Sequence, residues 1–232
     1  DATTTPFPYL LCVAQALQGG DTDTKCNAEL RRSRSRQHQS GIAAQASGAL
    51  QLGATTHRTV VGATFDASRT RFTQSSQAAF LLADRSVQTI TDFLAGADVG
   101  AAETNVELDA RTRTTSVFAA DSVSPASDLH FTFAARYDRT HISNRDALRS
   151  APDPASLDGD HVFARLNPAA GVNWNPTPAL TFYAGYTEGS RTPSAIELGC
   201  ANPAQPCKLP NALAGDPPLR QVVAHTIELG VR

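Results

Sequence analysis

The sequence predicts an all-β fold, an antiparallel up-and-down meander. Two observations carry this prediction: apolar and polar side chains alternate in several segments, and the connections between those segments alternate between short and long. In TVVGATFDAS, Val61, Ala63 and Phe65 share one face, and Gly62 and Thr64 share the other. A period of two is the side-chain spacing of a β-strand. Such segments therefore predict strands with one apolar face.

The longest alternation is LHFTFAARYDRT, in which Phe131, Phe133 and Tyr137 lie opposite Thr132 and Arg136. Its length matches the roughly 9–11 residues that a tilted strand needs to cross a bilayer. The main predicted strands are Thr115–Val123, Leu129–Thr140, His161–Asn173, Leu180–Thr187 and Val222–Arg232, with weaker ones at Cys26–Arg36 and Gln37–Gly48.

The connections differ in length in a regular order. Ser124–Asp128 and Asn175–Ala179 are tight and contain proline, whereas Asn144–Gly159, Glu197–Leu219 and Ser75–Glu103 are long. Outer-membrane barrels have short turns at one rim and long loops at the other. A soluble sandwich more often keeps its hairpin loops to a few residues. The order favours part of a large transmembrane β-barrel with long loops on one rim.

A barrel embedded in lipid has an apolar exterior and a polar lumen. The alternation then assigns each side chain to one of two faces. The residues expected to face lipid are Leu129, Phe131, Phe133, Ala135, Phe182 and Ala184. Those expected to face the lumen are Thr132, Arg136, Thr181, Tyr183 and Gly185.

Composition and charge exclude some functions. The 232 residues carry a net charge of −2, and 18% are charged, so there is no basic footprint of a nucleic-acid binder. The one basic run, Arg31–Arg36, places Arg32, Arg34 and Arg36 on one strand face. No stretch of about 18 apolar residues predicts a membrane helix. Because the chain has no methionine, we expect it to be a piece of a longer polypeptide or a processed one.

The four cysteines form two local pairs, Cys12 with Cys26 and Cys200 with Cys207, each separated by loop-type residues. Two disulfides are predicted, which indicates an oxidising compartment. Neither spacing matches a zinc site, so no metal is expected.

Catalytic patterns are poor. The six histidines have no metal-ligand spacing, and the chain lacks a GxSxG nucleophile elbow. We therefore predict no catalytic residues, no cofactor and no enzymatic activity. The ligand-binding residues are left unassigned, because no aromatic cluster or basic pocket in the long loops singles out a ligand.

The last third of the chain carries a more specific pattern. NPAAGVNWNPTPALTFYAGYTEGSRTPSAIELGC, followed by HTIELGVR, resembles the barrel of TonB-dependent outer-membrane receptors. The matching motif residues are Arg191, Pro193, Ser194, Glu197 and Leu198. Within this resemblance, Tyr186 is an aromatic girdle residue, Pro193 ends the regular ladder, and Arg191 pairs with Glu188 or Glu197.

The resemblance implies that residues 1–232 are a partial β-barrel, incomplete at both ends, of a Gram-negative outer-membrane receptor. Such a receptor takes up a scarce nutrient, such as an iron-siderophore complex or cobalamin, by an energised process. The implied partners are a TonB energy-coupling protein, reached through a plug domain that this chain lacks, a small-molecule ligand and outer-membrane lipid, but no nucleic acid. Two alternatives remain open: another outer-membrane barrel, such as a surface enzyme or adhesin, and a secreted β-sandwich binding module.

Overall fold

The computed structural model describes residues 28–82, 84–89, 102–153, 156–200 and 219–232. These residues form eight strands and one short helix. The elements are β1 (Ala28–Leu52), β2 (Thr55–Leu81), β3 (Val87–Thr89), β4 (Glu103–Ala126), β5 (Leu129–Asp146), β6 (Gly159–Thr177), β7 (Leu180–Arg191), α1 (Ala195–Cys200) and β8 (Val222–Val231). The predicted all-β fold is confirmed. No helix within these ranges is long and apolar enough to cross a membrane.

The strands form one sheet in the order β1-β2-β4-β5-β6-β7-β8, with β3 paired to β2. β5 pairs with β6, β6 with β7 and β7 with β8, all antiparallel. The predicted meander of sequence neighbours is therefore confirmed. All the described strands belong to this sheet, whereas the β-sandwich alternative requires two. β1 and β8 are the first and last strands in the order of the described sheet.

The chain divides into two compact units. One comprises Asp1–Arg36 and Arg71–Leu108, and the other Gln37–Thr70 and Asp109–Arg232. Among the described residues of the first unit, the buried apolar side chains are Phe72, Ala79, Phe80, Val106 and Leu108. Those of the second unit are Ala110, Ile142, Leu157 and Ala195.

Several predicted boundaries are wrong. The segments Cys26–Arg36 and Gln37–Gly48 were expected to be separate strands, but β1 runs unbroken from Ala28 to Leu52, and no proline interrupts it. The predicted loop Ser75–Glu103 begins too early, since β2 continues to Leu81 and pairs with β3.

The predicted disulfides lie largely outside the described residues. Cys12, Cys26 and Cys207 are not among them, and Cys200 is the last residue of α1. Both pairings therefore stay predictions.

The register from β5 to β8 sorts the side chains into two faces. On the apolar face, Val172 lies opposite both Phe131 and Ala184, and Trp174 lies opposite both Leu129 and Phe182. The rings of Trp174 and Phe182 stack with centroids 5.6 Å apart. Phe133 is 54% exposed, and Leu229 of β8 is 77% exposed. These strands therefore present a broad exposed apolar surface.

The opposite face of the same strands is polar or lined by small residues. Thr132 lies opposite Gly171, which in turn lies opposite Gly185, and Arg136 lies opposite Asn167. The side chains predicted to share each face do so. Exposed apolar residues on one face and polar residues on the other invert the arrangement of a sheet that buries its apolar face.

A proline interrupts one of the ladders. β6 pairs with β5 through Pro168, opposite Ala135, and onward to Gly159. On its other side, the pairing of β6 with β7 ends at Ala169 opposite Thr187. Because proline has no backbone N–H, it cannot donate to a neighbouring strand. The first part of β6 is therefore joined to β5 but not to β7.

Candidate functional site

The Arg-Thr-Pro-Ser phrase forms a turn between sheet and helix. β7 ends at Arg191 and α1 begins at Ala195. The Ser194 hydroxyl accepts a hydrogen bond from the N–H of Glu197 at 3.2 Å, and the Glu197 carboxylate accepts one from the N–H of Ser194 at 2.6 Å. This reciprocal pair is a capping box, which satisfies backbone donors at a helix start.

Arg191 adds charge to this turn. Its guanidinium donates to both carboxylate oxygens of Glu197, at 3.0 and 3.3 Å. These hydrogen bonds, together with those from Ser194, lower the pKa of Glu197 from 4.5 to about 2. The sequence offered two partners for Arg191, and the structure selects Glu197. Glu188 instead accepts a hydrogen bond from Arg165 at 2.9 Å.

The turn is attached to β5 by a buried hydrogen bond. Pro193 and Ala195 are buried, and the Asn144 side-chain amide donates to the Ala195 carbonyl at 2.9 Å. Asn144 is 0% exposed. Leu198 is half-buried, and its N–H donates to the Ser194 carbonyl at 3.0 Å. The five motif residues thus build one corner, which we call the capping corner (residues 191–198), at the start of the β7–β8 connection.

A second polar cluster surrounds Asp138 on the polar face. Its carboxylate accepts hydrogen bonds from Ser116 at 2.6 Å, Arg136 at 2.8 Å and Asn167 at 3.1 Å. The donors come from β4, β5 and β6, so one carboxylate links three neighbouring strands. We call Ser116, Arg136, Asp138 and Asn167 the Asp138 cluster.

Arg136 extends the cluster to a fourth strand. Its guanidinium donates to the hydroxyl of Thr64 on β2 at 3.3 Å, and its Cζ lies 5.7 Å from the centre of the Phe118 ring. A guanidinium over an aromatic face is a favourable cation–π arrangement. The arginine is therefore held by an anion, a hydroxyl and a ring together.

A third group joins β6, β7 and β8 where the β6–β7 ladder ends. The Tyr186 hydroxyl donates to Glu188 at 2.7 Å and lies 3.0 Å from Nδ1 of His225, and the two rings stack with centroids 6.3 Å apart. Arg165 binds the other oxygen of Glu188. Side-chain hydrogen bonds therefore join β6 to β7 at a point where no backbone pairing does.

A cavity of about 490 Å³ lies beside these groups, lined in part by Phe118, Arg136, Asp138, Asn167 and Glu188. Two neighbouring polar atoms are buried without a hydrogen-bond partner among the described residues, Oδ1 of Asn167 and Nε of Arg165. Buried polar atoms are normally paired. This part of the polar face thus has an unused acceptor and an unused donor.

No group of three or more histidine, cysteine, aspartate or glutamate side chains in the described part of the chain could hold a metal ion. The hydrogen bonds above join carboxylates to arginines, hydroxyls and amides.

Sequence reasoning missed most of these residues. Alternation placed Arg136 on a polar face, but Ser116 and Asn167, which share the Asp138 carboxylate with it, are 22 and 29 residues from Asp138. Only the strand register brings them together. Asn144 was taken as the start of a loop, although β5 continues to Asp146. No local signal marks it as an anchor.

Several solved structures share this fold. The chain matches the ferric citrate transporter FecA with a TM-score of 0.64 at 16% identity, covering 88% of this chain and 26% of that one. It matches the siderophore receptor PiuA from Acinetobacter baumannii with a TM-score of 0.52 at 16% identity, covering 88% and 30%. It also matches the ferric preacinetobactin receptor BauA of the same species, with a TM-score of 0.52 at 16% identity, covering 87% and 27%.

The chain therefore spans less than a third of the length of these structural relatives. Among proteins of curated function, no sequence matches it significantly. The family model for the TonB dependent receptor-like β-barrel matches residues 9–232, which is nearly the whole chain. The chain belongs to this family of TonB-dependent receptor β-barrels.

Proposed function

We propose that the chain is a segment of a Gram-negative outer-membrane receptor that takes up a scarce nutrient with energy delivered through TonB. The observation that carries the proposal is the inverted sheet: β5 to β8 expose an apolar face and hold the Asp138 cluster on the other. Family membership supports the same function. The ligand class proposed is an iron-siderophore complex or cobalamin.

The apolar face is the surface that would contact lipid. Phe133, Leu166 and Leu229 are each more than half exposed. In water, a contiguous apolar surface of this kind is larger than monomers usually leave uncovered. In a bilayer it lowers the free energy by replacing water with acyl chains. Trp174 suits the membrane boundary, because its indole N–H donates to the Asp128 carboxylate at 3.3 Å beside a short turn.

The polar face is the surface that would receive a plug domain. The Asp138 cluster is already internally bonded, so it is a rigid platform. The unpaired Asn167 oxygen and Arg165 Nε offer an acceptor and a donor to a partner. A plug would satisfy both and would carry the signal to TonB, as the family resemblance implies.

The iron-related ligand class is supported by the structural relatives. FecA is described as a ferric citrate transporter, PiuA as a siderophore receptor and BauA as a receptor for ferric preacinetobactin. Identities of 16% establish only a shared fold. The ligand class is therefore a hypothesis for direct test.

The test is uptake in the source bacterium with the gene deleted and then restored. Cells are supplied with iron-55 bound to hydroxamate, catecholate or citrate carriers, or with cobalt-57 cobalamin, with and without a protonophore. Restoration of uptake of one compound, abolished by the protonophore and by deletion of tonB, supports the proposal. Equal uptake of every compound in deleted and restored cells would reject it and favour an adhesive or enzymatic barrel.

A further inference from the structure

The basic run of β1 lines a cavity of about 570 Å³ in the first unit. Its lining residues are all polar: Arg31, Arg32, Ser33 and Arg34 of β1, Thr73, Gln74 and Ser75 of β2, and Thr104 of β4. No aspartate or glutamate is among the lining residues. The cavity therefore combines cations with neutral donors, which is the chemistry of an anion site.

The arginines are not equivalent. Arg31 donates to Glu29, so part of its charge is already matched. Arg32 and Arg34 form no ion pair within the described part of the chain. They are two residues apart on a strand, so they share a face about 6–7 Å apart. Two adjacent uncompensated guanidiniums repel each other unless an anion lies between them.

The donor set favours phosphate over a single carboxylate. Each guanidinium presents five N–H donors in a planar fork, and the four hydroxyl-bearing lining residues, Ser33, Thr73, Ser75 and Thr104, can add further donors. A carboxylate has only two oxygens to receive them, whereas a phosphate group has three or four and carries up to two charges. The cavity volume falls in the range of small-ligand sites, about 300–1,000 Å³, and is too small for a nucleic-acid helix.

We propose that this cavity binds a phosphate group, with Arg32 and Arg34 as its charged ligands and Thr73, Ser75 and Thr104 as supporting donors. The phosphate can come from two sources with the same chemistry, a soluble phosphorylated compound or the phosphorylated sugar headgroup of an outer-membrane lipid. The site is separate from the uptake function proposed above and does not depend on it.

The test measures binding to the full-length protein purified in detergent. Isothermal titration uses two probes: inorganic phosphate, and deacylated lipopolysaccharide, which keeps the phosphorylated glucosamine headgroup without its acyl chains. The variant is Arg32→Gln with Arg34→Gln. The matched control is Arg111→Gln with Arg113→Gln, which removes two arginines at the same spacing from β4 outside the cavity. Heat-modifiable migration on a gel confirms that each variant is folded.

We expect the double variant to weaken binding by about tenfold or more, since charge-assisted hydrogen bonds to both guanidiniums are lost. The control should leave binding unchanged. Loss for inorganic phosphate supports a soluble ligand, and loss for the lipid-derived sugar alone supports a headgroup. Absence of binding for both probes, or an equal loss in the control, overturns the proposal.

A second variant keeps the test decisive if the glutamine pair fails to fold. Arg32→Lys with Arg34→Lys retains the charge but removes the planar fork. If the guanidinium geometry matters, affinity falls several-fold while the protein remains folded. Unchanged affinity would contradict the assigned role of the two arginines.

Discussion

Ser194 and Glu197 hold each other through a reciprocal pair of hydrogen bonds, each side chain accepting from the other residue's backbone N–H. Arg191 then fastens the glutamate by two further bonds. At the end of β7 the backbone hydrogen bonds of the sheet stop, and the capping corner satisfies backbone donors through side chains instead. A polar Arg-x-Pro-Ser phrase can therefore follow a membrane-type strand directly. The chain changes from strand to helix within three residues, 192–194.

Removing the cap should loosen the corner. We expect Ser194→Ala to destabilise α1 by about 0.5–2 kcal/mol, the usual effect of losing an N-cap side chain. The measurement is hydrogen exchange of the Glu197 and Leu198 amides, which should quicken. Ser190→Ala on β7 is the control, and it should leave these amides unchanged. Equal protection in both variants would show that the cap contributes nothing.

The corner should also respond to acid. The pKa of Glu197 is lowered to about 2 in the folded chain, from an ordinary value of 4.5. A carboxyl whose folded pKa is depressed stabilises the fold above its unfolded pKa and loses that contribution as pH falls through the folded value. Order in α1 should therefore be constant from pH 7 to about 4.5 and decline toward about 2.

Exchange of the same amides across this pH range, corrected for the intrinsic rate, measures the effect. Glu197→Gln serves as the comparison, because it has no carboxyl to protonate and its profile should be flat. If the glutamine variant shows the same decline, another acid is responsible.

Asp138 should be the most sensitive residue of the polar cluster. Asp138→Asn removes the charge that Arg136 binds and replaces one acceptor with a donor facing Asn167. Hydrogen bonds to charged groups contribute about 1.5–3 kcal/mol, so a loss of this size in unfolding free energy is expected. Urea unfolding in detergent micelles measures it. The control Asp66→Asn, a half-buried aspartate on β2, should change stability by under about 0.5 kcal/mol.

Gly62 should not tolerate a side chain. A Cβ there would collide with the Phe118 ring and lie 2.8 Å from the carbonyl oxygen of Ala44, which is backbone and cannot swing away. Gly62→Ala should cost about 1–3 kcal/mol by overpacking. Gly48→Ala on β1 meets no atom within 4 Å and is the matched control. The assembled fraction on a heat-modifiability gel should fall only for Gly62→Ala.

The lipid-facing assignment predicts an asymmetry between adjacent residues. Phe133→Arg puts a charge on the apolar face and should cost about 2–4 kcal/mol at mid-bilayer depth, which blocks assembly. Thr132→Arg puts the same charge on the polar face and loses only the 3.2 Å bond to Ser122, so it should assemble. Outer-membrane fractionation distinguishes them. Normal assembly of both variants would argue against a membrane-embedded sheet.

The sequence predicted the strands best where a core-like pattern was present. The alternation from Leu129 to Tyr137 located β5 because one face is apolar throughout. The last part of β2, from Ser75 to Leu81, was predicted to be a loop. The buried positions change phase between Gln74 and Gln77, and both residues are polar, so no regular apolar alternation marks the strand. The continuity of β1, predicted as two weaker strands, was missed for another reason: residues 31–41 have no apolar side chain, so no apolar residue marks the period there.

The sites divide in the same way. The three-residue spacing of Ser194 and Glu197 is local, and the motif could be recognised from the sequence. The link from Arg165 to Glu188 spans 23 residues and depends on where the β6–β7 ladder ends. Neither the residue types nor their separation in the sequence predicts this contact, because it forms only when three strands are in register.

The backbone pairing between β6 and β7 stops next to Pro168. Beyond it, the hairpin of β5 and β6 and the hairpin of β7 and β8 are linked by side chains, Arg165 to Glu188 and Asn144 to the Ala195 carbonyl, instead of a backbone ladder. A ladder yields only when strands separate, but two side-chain tethers can be released individually. Residues 159–165 of β6 and residues 188–191 of β7 can thus shift relative to each other while the paired residues from Ala169 and Thr187 onward stay joined.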